Sequence, residues 1–293
     1  MFTGLSGFPL TPLRDDRFDE ASFEKLIERL VNAGIDSIGA LGSTGSYAYL
    51  TREERRRVAR AAVEAAGDVP VIVGIGALRT SQAQALAEDA QNAGASAVLL
   101  STMTYQALTD DDVFGLYEDI TAGLSVPLVL YDNPSTTHFH FSTELYGRIA
   151  ELPQVASIKI PPVSPNVEQA RSHVQAIRAV IPENVTIGIS GDAAAATGLI
   201  AGCDVWYSVI AGTLPEVARD IAAAATSGDA ERARAASERL QPLWQLFSEF
   251  GSVRVVAAIL ERLGLVGPDS LPRPILGLDA ASRERVSEVL TRL

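Results

Sequence analysis

Lys159 stands in the run Val155–Ile160, apolar and β-branched, with Leu152-Pro153 before it and Pro161-Pro162 after it. Such a run reads as a short buried strand. An ammonium group there is costly to desolvate, so burial pushes its pKa toward neutrality. A lysine that spends time as a free amine is a nucleophile toward carbonyl carbon, which is what Schiff-base catalysis requires. A strand-end lysine more often extends its ammonium to solvent. The usage in this chain favours chemistry. It has 22 arginines but two lysines, and the other, Lys25, lies in the polar helical stretch 23–29.

Other residue types converge on the same chemistry. Tyr131 ends the apolar run 127–132, and a phenol beside an amine can shuttle protons to a carbinolamine or imine. A core tyrosine with a satisfied hydroxyl is an equally natural reading of it in isolation. In Gly42-Ser43-Thr44-Gly45-Ser46 the glycines free the backbone to turn its N–H groups inward as a nest for a small carboxylate. Alone, that stretch is a plain Gly-Ser turn. His138-Phe-His140 has the spacing of some barrel metal sites, but the only further histidine is His173, too few for such a centre. No metal is expected, and a pocket-lining role suits His138. The cluster Arg52–Arg60 interleaves arginine with glutamate at helical spacing and reads as a solvated face.

These groups need a scaffold. At 293 residues, 47% apolar and 20% charged, the chain has the composition of a soluble globular protein with a large core. A net charge of −12 argues against nucleic acid or an anionic membrane as partner. A single cysteine, Cys203, excludes an internal disulfide and suits a reducing compartment. The N-terminal residues do not resemble a signal peptide, and no run reaches the ~20 apolar residues of a span. The expected location is the cytoplasm.

Eight short apolar runs are expected as strands, at 3–8, 37–41, 69–74, 97–101, 127–132, 155–160, 185–190 and 204–209. Most are separated by one amphipathic helix. Asp19 is placed to cap the first of these, and Thr51-x-x-Glu54 forms a capping box for the second. Repeated βα units mean a parallel sheet. Eight of them, without a glycine-rich dinucleotide fingerprint, favour an α/β fold of the (β/α)₈ TIM-barrel type over a doubly wound sheet. Helices at 214–226, 229–250, 252–263 and 281–293 follow with no strands between them. The expected division is a barrel over 1–212 carrying the active site, and C-terminal helices over 213–293 that close and extend it. In such a barrel the chemistry sits at the C-terminal ends of the strands, which is where Ser43, Tyr105, Tyr131, Lys159, Gly191-Asp192 and Tyr207 fall.

In that order and near that spacing, Gly-Ser-Thr-Gly, Tyr-x-x-Pro-Ser and the Ile-Lys strand resemble the dihydrodipicolinate synthase/N-acetylneuraminate lyase family of class I aldolases. Ser190-Gly191-Asp192 agrees with this. The resemblance implies a (β/α)₈ barrel that forms an imine between lysine and a 2-oxo acid, usually pyruvate. By motif, Lys159 is the Schiff-base lysine and Tyr131 the acid–base tyrosine. Ser43 and Thr44, with Gly45, hold the 2-oxo acid carboxylate, and Ser43 joins the proton relay. Tyr105 occupies the place of a tyrosine that completes the relay from a neighbouring subunit, although Met103–Leu108 lacks the family's Pro-Tyr-Tyr. The carbonyl of Tyr207 faces the pyruvyl unit. No cofactor is implied, and a homo-oligomer, tetramer or dimer, is the family habit.

Three departures bear on the second substrate. Ser46 stands where the family usually has Glu. Thr136 replaces an Arg that clamps a carboxylate in the synthase branch. Ile160 replaces an acidic residue after the lysine. The expectation is therefore a lyase, aldolase or hydro-lyase, acting on pyruvate or another 2-oxo acid, with a second substrate such as a sugar acid. Its substrate site includes Thr136 and His138. The alternatives are a non-catalytic 2-oxo-acid-binding barrel and a true dihydrodipicolinate synthase. A mere binder has no need of a buried amine.

Overall fold

A computed structural model describes residues 2–293. Eight parallel strands close into a barrel in chain order: β1 (Gly4–Gly7), β2 (Ser37–Ala40), β3 (Val71–Gly74), β4 (Ala97–Ser101), β5 (Leu128–Tyr131), β6 (Val155–Ile160), β7 (Thr186–Ile189) and β8 (Val205–Ser208). β8 pairs with β1 to complete the ring, placing Tyr207 opposite Ser6. The (β/α)₈ expectation and all eight strand positions hold.

Burial explains why the apolar runs are strands and the amphipathic runs are helices. Every residue of β2, β3, β4, β5 and β8 is buried, because one face meets the helices and the other meets the barrel interior. Side chains alternate between these faces. Ile72, Leu99, Val129 and Val205 form the interior plug, and fully burying each contributes about 1.5–3 kcal/mol. One alternation further along, at the C-terminal end, the inward positions pass to Tyr131, Lys159 and Tyr207. The functional layer thus rests on a packed floor.

The helices α1 (Glu20–Asn32), α2 (Arg52–Ala66), α3 (Thr80–Asn92), α4 (Asp110–Thr121), α5 (Thr143–Ala150), α6 (Val167–Arg178) and α7 (Ala195–Ile200) alternate with the strands, and α8 (Pro215–Thr226) follows β8. Asp19 caps α1 by accepting from the Ser22 N–H, and Thr51 with Glu54 forms the complete capping box of α2.

The structure differs from the sequence expectation in three places. The helix expected over 229–250 is two, α9 (Ala230–Arg239) and α10 (Gln241–Phe250). Pro242 has no N–H to donate into the preceding turn, so the chain breaks at Leu240. A short antiparallel hairpin, Leu13–Arg14 with Arg17–Phe18, follows β1. A four-residue helical turn, Pro134–Thr137, follows β5, with Pro134 at its start. The last helices are α11 (Ser252–Arg262) and α12 (Ala280–Leu290). Among the described residues no single helix is long and apolar enough to cross a membrane.

Candidate active site

At the C-terminal end of the barrel a cavity of about 580 Å³ opens, with Lys159 in its wall. The register of the sheet sets Lys159 beside Tyr131 on β5 and Gly188 on β7. Its Nζ lies 3.7 Å from the centre of the Phe8 ring, 4.4 Å from that of Tyr131 and 5.6 Å from that of Tyr207. Three aromatic faces replace most of the water an ammonium would hold. Burial pulls the Lys159 pKa down from the ordinary lysine value to about 7, partly opposed by the negative charge of Asp192. At neutral pH a large fraction of this amine is therefore unprotonated.

That value sets a test. Imine formation with pyruvate in single-turnover experiments should rise with pH through about 7 and level off above it, because only the free amine attacks. An acid limb nearer the ordinary lysine value of ~10.4 would mean that burial does not govern this group.

Asp192, after β7, is buried and fully committed. It accepts from Trp206 Nε1 (3.0 Å), Ser208 Oγ (3.1 Å), the Val209 N–H (3.2 Å) and the Ile210 N–H (2.7 Å). Burial raises its pKa, and these donors pull it back down.

The Tyr131 hydroxyl lies 3.0 Å from Ser43 Oγ and accepts from Asn133 Nδ2 at 2.9 Å. The Asn133 amide is itself oriented, since Ser135 Oγ donates to its Oδ1 at 2.7 Å. With Asn133 on the acceptor side of the phenol, the O–H is directed at Ser43. Burial lifts the Tyr131 pKa to about 12, so it enters neutral-pH chemistry as a donor. The Tyr-x-x-Pro-Ser spacing thus has a local purpose: Pro134 starts the turn, and Ser135 fixes the amide that fixes the phenol.

The loop after β2 brings Ser43 and Thr44 to the cavity, but by a different device from the one expected. Neither Gly42 nor Gly45 has a positive φ. The left-handed residues are Leu41 (φ 57°) and Ser46 (φ 53°), which bracket the loop. Gly42 is needed for space, because a Cβ there would lie 2.7 Å from Phe8 Cδ1. A larger residue would displace the ring that packs on Lys159. Gly45 does not line the cavity; a Cβ there would press against Leu41 and Thr11 at 3.1 Å.

Tyr207 contributes its ring to the cavity, with its hydroxyl 2.7 Å from Ser157 Oγ on β6. Gly188 makes room for that ring, since a Cβ there would stand 2.2 Å from Tyr207 Cε2. Thr136 lines the cavity and uses its hydroxyl on the Asn133 carbonyl (3.3 Å). His138 is exposed and lies outside the cavity lining. It is the left-handed residue that ends the Pro134 turn, which leaves it outside the pocket lining expected for it. Tyr105 is 89% exposed and is not part of the cavity lining of its own chain.

Three contributors have no place in the sequence reading. Phe8 directly follows β1 at the active end of the barrel, a signal that was available. Asn133 is visible only once the turn is built. Arg254, with Gly251, Ser252 and Val253, lines the cavity from α11 and its N-terminus, and no barrel rule places a residue of the helical extension.

Known proteins share this architecture. The model of the dihydrodipicolinate synthetase family matches residues 1–293. The 4-hydroxy-tetrahydrodipicolinate synthase of Hyphomonas neptunium is 33% identical over 99% of this chain and 98% of its own length. A crystal structure of dihydrodipicolinate synthase from Agrobacterium tumefaciens is 44% identical, with a TM-score of 0.96 over 100% of this chain and 98% of that one. A dihydrodipicolinate synthase from Acinetobacter baumannii, solved in complex with pyruvate, is 27% identical with a TM-score of 0.91, covering 100% and 99% of the two chains.

Proposed function

The chain belongs to the dihydrodipicolinate synthetase family and is a lyase of the class I aldolase type, and from that premise we propose that it forms an imine between Lys159 and pyruvate or another 2-oxo acid and passes it to a partner other than aspartate semialdehyde. The observation that carries this reading is the juxtaposition of a buried amine, 4.4 Å from the centre of the Tyr131 ring, with a phenol hydrogen-bonded to Ser43. The Nζ lone pair adds to C2 of the 2-oxo acid. The former carbonyl oxygen takes up protons and leaves as water, and the C–N double bond forms. Tyr131 and Ser43 carry those protons, while Ser43, Thr44 and the N–H groups of their loop hold the carboxylate. Loss of a C3 proton from the imine then gives an enamine, which adds to an aldehyde carbon. The reverse direction cleaves that bond, and a hydroxyl leaving from C4 makes the same intermediate a hydro-lyase.

Part of this reading lies outside the single chain. The exposed Tyr105 suits a relay completed in a neighbouring copy, within a tetramer or dimer in the cytoplasm. The barrel over 1–212 would carry the chemistry and the helices over 213–293 would close and extend it.

Thr136 decides between partners. It offers a neutral hydroxyl already turned to the Asn133 carbonyl, with no guanidinium to meet a carboxylate bidentately at that position. Condensation of pyruvate with aspartate semialdehyde should therefore run well below the ordinary enzyme range of ~10⁴ M⁻¹s⁻¹ in kcat/KM. The names of the curated relatives favour a second reading, the synthase itself. Efficient condensation would establish it and overturn the rebuilt partner site.

A further inference from the structure

Of the three rings around the Lys159 nitrogen, that of Phe8 is the nearest, 3.7 Å from Nζ to the ring centre against 4.4 Å for Tyr131 and 5.6 Å for Tyr207. An approach this close to the centre is made from above the face, since one in the plane is stopped by the ring's own edge. Tyr131 has its hydroxyl in the proton relay with Ser43. Phe8 has no polar atom on its side chain, so the ring face is all it offers the amine. A cation within about 6 Å of such a face is attracted by the ring quadrupole, and more strongly where water is excluded. Phe8 is 1% exposed, yet it lines the cavity. The carboxylate whose charge reaches the amine, Asp192, already accepts from four other donors.

The chain builds a seat for this ring. The Phe8 N–H donates to the Ser208 carbonyl (2.8 Å), which carries the β1–β8 ladder one residue past the strand, and Pro9 favours an extended backbone at the residue before it. Gly212 lets the turn after β8 close on Phe8, whose carbonyl oxygen would lie 2.3 Å from a Cβ there. On the ring side, a Cβ at Gly39 would stand 2.3 Å from Cζ and one at Gly42 2.7 Å from Cδ1. Tyr207 meets the ring edge-on, with centroids 5.9 Å apart and planes at 86°. Backbone and ring are thus fixed from several sides, with one face held against Nζ.

We propose that Phe8 is a further catalytic residue, whose ring face holds the positive charge that the Lys159 nitrogen carries, first as ammonium and then as iminium, in place of water or a paired carboxylate. The proposal rests on the imine at Lys159 and gives that site its cation partner. Filling the space needs only an aliphatic side chain, whereas holding charge needs a π face. The chemistry uses the charge at one step. When the iminium loses a C3 proton, the C3–H pair becomes the C2–C3 double bond, the C–N π pair moves onto nitrogen, and the proton passes to solvent in the cavity. A ring that stabilises the iminium raises the share of imine able to take this step.

The test compares two apolar replacements in the full-length protein. Phe8→Leu keeps most of the volume and excludes water but has no π face. Phe8→Ala removes the ring and opens its seat to water. In the wild type, single-turnover trapping of pyruvate on Lys159 by borohydride should rise with pH through about 7. In Phe8→Leu the ammonium loses its partner, so this limb should move about one pH unit lower. In Phe8→Ala water solvates the ammonium, and the limb should move about one pH unit or more higher. A role in packing alone would not send the two variants in opposite directions. Deuterium exchange into C3 of pyruvate, followed by NMR at about pH 8, should slow roughly three- to tenfold in Phe8→Leu, because less of the imine is protonated. An unmoved limb in Phe8→Leu overturns the proposal, and so does a shift of both variants in the same direction. Should Phe8→Ala fail to fold, Phe8→Leu with a native thermal melt decides alone. No adduct with any small 2-oxo acid in the wild type sinks the imine reading itself, whereas normal adducts with an unmoved limb sink Phe8 alone.

Discussion

Lys159→Ala should abolish the borohydride-trapped pyruvate adduct and lower turnover to roughly 10⁻³ of wild type or less, since the covalent intermediate is lost with its nucleophile. The experiment is unusually clean because the chain has only two lysines. Peptide mapping by mass spectrometry then has three candidate amines: Lys25, Lys159 and the N-terminus. One adduct per chain is expected, on the peptide containing Lys159. Lys25 is exposed on α1, outside the aromatic enclosure that surrounds Lys159. Unfolded protein should give no adduct either, because the depressed pKa is a property of the three aromatic faces around Nζ. An adduct on Lys25 would falsify the argument from burial. No adduct with any small 2-oxo acid would leave a binding barrel as the better description.

Tyr131→Phe should lower kcat by roughly 10²-fold or more, the usual scale for a positioned acid–base group. The variant keeps the ring that stands 4.4 Å from Lys159 Nζ and loses only the hydroxyl shared with Ser43 and Asn133. Its cost in folding should be about 1 kcal/mol, that of one net hydrogen bond, so a thermal melt near that of wild type should accompany the kinetic loss. Wild-type turnover in this variant would remove Tyr131 from the relay.

The barrel was legible in the sequence because its determinants are local and repeated. Mostly apolar runs of four to six residues, most of them followed by an amphipathic stretch, some with a cap such as Asp19 or Thr51, leave few alternatives to a closed parallel sheet. The meeting of Lys159, Tyr131 and Ser43 at one cavity was legible because strand ends converge by construction. What escaped depends on three-dimensional fit. The glycines of the Ser43 loop were expected to supply conformational freedom, yet Leu41 and Ser46 take the left-handed positions and Gly42 provides clearance for Phe8. His138 was expected to line the pocket, but Pro134 starts a helical turn that His138 ends outside the cavity lining. Pro242 marks a break in the helix over 229–250 that amphipathic periodicity alone conceals. Arg254 had no sequence signal, because where α11 lies on the barrel is set by packing between residues far apart in the chain.

The hydrogen bond from Trp206 to Asp192 places a natural fluorophore one carboxylate away from the Lys159 amine. The indole Nε1 is 3.0 Å from a carboxylate whose charge acts on Lys159, so turning the amine into a charged imine alters the electric field across the ring. The only other tryptophan, Trp244, donates to the Ser237 carbonyl in the helical extension and contributes a steady background. Emission from the unlabelled protein should therefore change as an imine forms at Lys159, in real time and with no reporter attached, and a fluorescence titration with pyruvate would check it.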